Sequence, residues 1–223
     1  MEKAIEIKGV KKNYRLSKEV SVPALSGIDL TIDKGEYVAI CGVSGSGKST
    51  LLHIIGCLDK ATEGEVIING EDVSTLNNRK LSKIRCREIG FVLQDFGLIP
   101  YRTVYENVEV PLLFAGVKRS KRKEMILAAL KEVGIEDLVN RKVIKMSGGQ
   151  KQRAAIARAI VNNASIILAD EPTGQLDSET KNEMNELFRK LKGSGKTVVV
   201  VTHDKELAQS ADRVLFITDG KIS

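Results

Sequence analysis

The residues best suited to chemistry lie in Gly42-Val43-Ser44-Gly45-Ser46-Gly47-Lys48-Ser49-Thr50, a full match to G-x-x-x-x-G-K-[ST]. Each residue type has a physical task there. The glycines let consecutive backbone N–H groups turn inward around an anion, which side chains would obstruct. Lys48 brings a cation to terminal phosphates, and Ser49 offers a hydroxyl to Mg²⁺. The alternative is a chance Gly/Ser turn, and the flanks argue against it. Val38 to Cys41 reads as the strand entering the loop, and Leu51, Leu52, Ile54 and Ile55 as the helix leaving it. The positive end of that helix dipole faces the phosphates. The stretch predicts nucleotide binding and leaves the use of the energy open.

Two further stretches could act on a phosphate. Ile166-Ile167-Leu168-Ala169 reads as a buried strand delivering Asp170 and Glu171. Beside a phosphate loop the two carboxylates divide the work: Asp170 holds Mg²⁺, usually through water, and Glu171 polarises the attacking water. The rival reading is an acidic surface turn. Ser147-Gly148-Gly149-Gln150 opens a helix through about Val161, with Ser and Gln spaced as a capping box. Two glycines are a poor choice for a plain helix start. They leave amides and a dipole open to an anion, a second phosphate-grade site with no lysine of its own.

Three single residues are less decided. Gln94 ends the short apolar run Ile89 to Leu93, and an amide at a strand's end can sit beside a phosphate-bound metal or serve structure alone. His203 ends the β-branched run Thr197 to Thr202, at the sheet edge where ligands bind, though a lone histidine is more often structural. Tyr14, among Lys11, Lys12 and Arg15, suits either stacking on an adenine ring or an ordinary place on a strand edge.

The elements that must position these residues follow from periodicity. Residues 1–40 read as antiparallel strands, with Ile5 and Ile7 alternating with charged neighbours and Ile28, Leu30 and Ile32 doing the same. Asn69-Gly70 after a β-branched run predicts a hairpin turn. Leu76 to Arg87 reads as a charged helical connector. Residues 95–145 change character: Pro100 and Pro111 punctuate helical stretches, and Met125, Leu127, Leu130, Val133 and Leu138 predict an amphipathic helix and its sequel. A long helix is expected from about Ser178 to Lys192, and Val214 to Thr218 reads as the last strand, ending at the Asp219-Gly220 turn.

Composition narrows the class. The chain has 223 residues, 42% hydrophobic and 29% charged, which is ordinary for a globular protein. No apolar run approaches the roughly 18 residues of a membrane span. The start, Met1 to Glu6, lacks the apolar core of a signal peptide, so the expectation is a chain kept in the cytoplasm. Cys41, Cys57 and Cys86 have no C-x-x-C spacing and read as reduced thiols. A net charge of +6 suits nucleic acid, an anionic membrane surface or simply a solvated basic surface. The basic run Lys118 to Lys123 is a solvated helix entry or a contact for lipid headgroups.

The ordered set of phosphate loop, Gln94, Ser147-Gly148-Gly149-Gln150, Asp170-Glu171, Leu176-Asp177 and His203 resembles the nucleotide-binding domain of an ABC ATPase, over essentially the whole chain. Ser-Gly-Gly-Gln is the discriminating motif, because generic P-loop kinases and GTPases lack it. Ile54 to Asp59, Ile89 to Gln94, Leu98-Ile99-Pro100, Glu106-Asn107-Val108 and Asp170 to Gly174 are similar to one branch. It holds macrolide-export, lipoprotein-release, bacitracin-type peptide-export and cell-division ATPases. Met146 stands where the signature usually has Leu, Lys151 where Gln is common, and Gln175 where this branch usually has Asn.

The resemblance implies an α/β fold: a RecA-like P-loop NTPase core with an antiparallel β subdomain and an inserted helical subdomain. One ABC domain spans 1–223, with 1–94 and 160–223 as core and 95–159 as the helical part that carries the signature. It implies adenine stacking by Tyr14, a metal-side Gln94 and a γ-phosphate-sensing His203. It also implies ATP and Mg²⁺ as ligands, with Ser49, Gln94 and Asp170 at the metal. Two copies would face head to tail, each ATP lying between one chain's Lys48 loop and the other's Ser147 helix, with Asp177 at the contact. The partner would be a separate permease with a large extracytoplasmic domain, the site of work the cytoplasmic face of the membrane, and no nucleic acid is expected. Two weaker expectations stand beside it: a cell-division regulator, and a soluble ABC ATPase acting on nucleic acid.

Overall fold

Alternating apolar and charged side chains build the first two strands of the computed structural model, which describes residues 2–15, 17 and 20–222. Met1, where the N-terminal stretch begins, lies outside them. Strands β1 (Lys3–Arg15) and β2 (Ser21–Asp33) pair antiparallel. Ile5, Ile7, Val10, Ile28 and Ile32 are all buried on the shared inner face. Strand β4 (Glu63–Ile68) takes the other edge of β1, and β5 (Glu71–Asp72) completes the order β2-β1-β4-β5. The β4–β5 turn is Asn69-Gly70, with φ of 48° and 82°, the two positive values that a tight hairpin needs.

Strand β3 (Tyr37–Cys41) corrects the expectation that residues 1–40 are all antiparallel. It runs parallel between β8 (Thr197–Val201) and β9 (Arg213–Thr218). Its run of buried residues needs cover on both faces, which a parallel sheet between layers supplies. With β6 (Ile89–Val92), β7 (Ile166–Asp170) and β10 (Lys221–Ile222) it forms a six-stranded sheet in the order β10-β9-β3-β8-β7-β6. Strand β9 is therefore not the last. Past Asp219-Gly220 the chain turns back as β10, two residues too short to show alternation in sequence.

The helices are α1 (Lys48–Ile55), α2 (Asn78–Glu88), α3 (Val104–Phe114), α4 (Arg119–Glu132), α5 (Gly148–Ile160), α6 (Ser178–Gly193) and α7 (Lys205–Gln209). The period-2 rule of strands sorts the core into two layers. Ile167, Ala169, Val198 and Val200 pack with buried residues of α3 to α6. Their neighbours Ile166, Leu168, Val199 and Val201 pack with α1 and the antiparallel sheet. Val104, Val108, Leu112, Ile126 and Leu130 belong to the first layer, so α3 and α4 share one core with α5 and α6.

Two helical expectations are corrected. Pro111 lies inside α3 and does not bound it. It falls in the last turn, where the lost N–H removes one hydrogen bond without ending the helix, and its own carbonyl still accepts from Ala115 N at 2.9 Å. In α4 the buried face is Ile126, Ala129 and Leu130, while Met125 and Leu127 are half-buried. Among the described residues no helix is long and apolar enough to cross a membrane.

Candidate functional site

The loop between β3 and α1 opens into a cavity of about 650 Å³ at the C-terminal edge of the parallel sheet, where a doubly wound α/β fold places its ligands. Gly42, Ser44, Gly45, Gly47, Lys48, Ser49 and Thr50 line it, joined by Gln94, Asp170, Glu171 and His203. Residues from four separate segments thus converge because β3, β6, β7 and β8 all end at one edge.

Gly47 precedes α1 with φ of 107°, and a Cβ there would stand 2.6 Å from the Ala24 carbonyl oxygen. Only glycine fits this approach. No side chain caps α1, so its first amides are left for a ligand. Lys48 is buried and donates to the carbonyls of Gly42 (2.9 Å) and Val43 (2.8 Å), so its charge is held inside the loop without a carboxylate. Ser46 is also buried, and its hydroxyl has no protein partner. Ser46, predicted from sequence to bind the nucleotide, does not line the cavity, so it is the lysine satisfied only by carbonyls that fits an anion bound in the loop.

On the opposite wall, Ser49 Oγ donates to Asp170 Oδ1 at 3.2 Å. Burial pushes the Asp170 carboxyl above its ordinary range, and Glu171's charge adds to this, while Ser49, His53 and Lys48 oppose it. A cation between the two side chains would offset that cost. Among the described residues no three His, Cys, Asp or Glu side chains converge on a metal position. The pair Ser49 and Asp170 instead supplies two hard oxygen donors, the set that suits Mg²⁺ taking its other ligands from phosphate and water.

Glu171 follows β7 with φ of 45°, immediately before Pro172. A non-glycine residue held in the left-handed region stores strain, which the fold tolerates at sites that need one orientation. Its amide donates to Val201 O at 2.9 Å, and Oε2 lies 2.9 Å from His203 Nδ1. The carboxylate is mostly buried and the imidazole largely exposed at the cavity mouth.

The remaining residues singled out from sequence stand elsewhere. Ser147 and Gln150 form a complete capping box at the start of α5 (3.2 and 3.3 Å). Gly149 has a packing reason too: a Cβ there would stand 2.6 Å from Thr180 Cγ2, and one at Gly148 would lie 3.4 Å from Leu176 Cδ2. Thr180 donates to Asp177, the exposed N-cap of α6, through N and Oγ1 (both 2.9 Å). Ser147, Gly148, Gly149, Gln150 and Asp177 therefore share one surface, apart from the cavity. Tyr14 does not line the cavity. Its hydroxyl donates to Asp59 at 2.9 Å, and Lys12 Nζ lies 4.8 Å from its ring centroid. Sequence reasoning missed Ala24, which lines the cavity from β2, and Arg158, which grips the loop after Gln94. Neither carries a local signal.

Comparisons agree with this geometry. A family model described as ABC transporter matches residues 25–174. An uncharacterized ABC transporter ATP-binding protein of Thermotoga maritima is 50% identical over all of this chain and 94% of its own length. The macrolide export ATP-binding/permease protein MacB of Nitrosomonas europaea is 46% identical over 98% of this chain, which spans about a third of that relative's length. Two solved dimeric structures of the cassette MJ0796 are similar, each with a TM-score of 0.90 and covering 98% of this chain and 96% of that one. One, 47% identical, is described as a post-hydrolysis state bound to ADP and Pi.

Proposed function

This chain belongs to the ABC transporter family, as an ATP-hydrolysing subunit, and on that premise we propose that it drives a separate membrane permease of the macrolide- and lipoprotein-export type. The observation that carries the reading is the cavity joining the Lys48 loop to Gln94, Asp170, Glu171 and His203. In this reading Lys48 and the loop amides bind the phosphates of ATP. Glu171 orients and deprotonates the attacking water, His203 senses the γ-phosphate beside it, and Gln94 marks the metal side. Ser49 and Asp170 would hold Mg²⁺, which when bound neutralises charge on the phosphates. Phosphoryl transfer to water is mostly positioning and charge neutralisation, and Glu171 held by its strained backbone suits positioning.

The surface holding Ser147 to Gln150 and Asp177 would close over the ATP of a second copy, head to tail. Its separation from the cavity and its exposure support this. ATP binding would then shift the population toward the closed dimer and hydrolysis would release it. In this reading 1–94 and 160–223 form the nucleotide-binding core of one ABC domain, and 95–159 forms its helical part with the Ser147 signature.

The permease, carrying the large extracytoplasmic domain, would dock at the cytoplasmic face in a groove of about 830 Å³ between α2, β6 and α3. Phe91, Leu93 and Phe114 give it an apolar lining, with Phe114 83% exposed, and Arg79, Lys83 and Arg87 form a basic rim. An apolar floor with a cationic rim fits a short acidic amphipathic helix. The test is cysteine cross-linking from Phe114 to the copurified permease. Cross-links to a cytoplasmic permease loop are expected, and contacts confined to the opposite face would reject the docking.

A further inference from the structure

The loop after β6 serves two sites at once. Gln94 lines the nucleotide cavity, while its neighbours Leu93 and Gly97 line the groove. Between them the chain reverses through two left-handed residues, Phe96 with φ of 64° and Gly97 with φ of 57°. Phe96 N donates to Leu93 O at 2.9 Å, and Gly97 N donates to Asp95 Oδ1 at 3.2 Å. These local bonds shape the turn, but they do not fix where it sits.

Arg158, in the last turn of α5, does that. Its Nη1 donates to Gly97 O and its Nη2 to Phe96 O at 3.0 Å, while its side chain also lines the groove. The guanidinium fork spans two consecutive carbonyls, a task that a lysine's single point charge performs poorly. The position is costly for a cation. Burial lowers the pKa of the guanidinium, and the charge of Asp95 only partly opposes this.

We propose that Arg158 is a positioning residue for ATP hydrolysis, holding the Phe96–Gly97 turn so that Gln94 stays in the cavity. The same side chain ties that turn to α5, the helix that begins immediately after Ser147. A partner entering the groove meets Arg158 and Gly97 directly, so docking reaches Gln94 and the Ser147 surface through one guanidinium. This inference rests on the reading of Gln94 given above.

The test is a double-mutant cycle on the full chain with steady-state ATP hydrolysis as readout. Arg158→Lys is expected to lower kcat by about tenfold and leave KM for ATP within about twofold, because the phosphates are bound by the Lys48 loop and only positioning is lost. In a Gln94→Ala background the same change should cost nothing further. Gly97→Ala loosens the contact from the loop side, since its Cβ would stand 3.2 Å from Arg158 Nη2 and 2.9 Å from Leu93 Cδ1. It should show the same kcat-only loss, and it keeps the test alive if Arg158→Lys does not fold. Equal losses in both backgrounds would make Arg158 a structural residue and overturn the proposal, as would an unchanged kcat in both folded single variants. Normal hydrolysis by Gln94→Ala would instead overturn the reading of Gln94, and this inference with it.

Discussion

Helices α1 and α5 both start at glycine-bearing stretches, yet only α1 opens into a cavity. At α1 the residue before the helix is Gly47, no side chain caps the first turn, and buried Lys48 faces Asp170 and Glu171 across the opening. At α5 the first turn is closed by Ser147 and Gln150 on each other's backbone, and its glycines pack toward Leu176 and Thr180. A helix start without a cap leaves amides unsatisfied, which is tolerable where a ligand will meet them. A helix start with a full capping box has two of its orphan donors satisfied by its own side chains, so it can stand at a surface with no ligand bound. In the proposed reading, the difference separates a site the chain builds itself from one it would offer to a second copy.

The strongest way to break this comparison is Glu171→Gln. With the cavity otherwise intact, hydrolysis should fall by about 10² or more, the scale of losing a general base. ATP should then trap a dimer that light scattering detects. Near-normal turnover would remove Glu171 from its role. Gly149→Val comes next. Its bulk meets Thr180, so ATP-dependent dimerisation and hydrolysis should fall about tenfold or more, in line with misplacing a positioned group. Nucleotide binding to the single chain, followed by fluorescent ATP analogue titration, should stay intact. Equal loss of binding would mean that the two helix starts are not separate.

Ser147→Ala should act more mildly. Removing the cap should cost about 1 kcal/mol of stability in a urea melt, with hydrolysis reduced only a few-fold. The smallest effect belongs to Tyr14→Phe, which loses the bond to Asp59 but keeps the ring. ATP affinity should stay within about twofold, whereas Tyr14→Ala should weaken it further if the ring stacks on adenine. Equal affinities for both variants would leave Tyr14 as a strand-edge residue.

Much of the site was legible because its signals are local. A glycine loop ahead of a lysine, Ser and Gln three apart before a helix, and two carboxylates after a buried strand each declare themselves within about ten residues. The fold was less legible where local pattern and tertiary setting part. Strand β3 directly follows the alternating region in sequence, yet its apolar run, buried on both faces, places it in the parallel sheet. Pro111 looks like a boundary, but α3 runs past it because only the last turn is affected. Leu127 fits a helical stripe, but the packing of α4 turns Ile126 inward instead.

The sequence by itself determined which residues could bind phosphate, cap a helix or carry a proton, since these depend on residue type and on spacing along a few turns of chain. Only the tertiary structure decided their company. Strand order brought Gln94, Asp170, Glu171 and His203 to the edge where Lys48 waits. Packing of α5 and α6 set the Ser147 and Asp177 surface apart from it. The grip of Arg158 on the turn after Gln94 joins residues 61 and 62 positions apart. No local pattern encodes a contact of that span, because it exists only once the sheet and helices have closed around it.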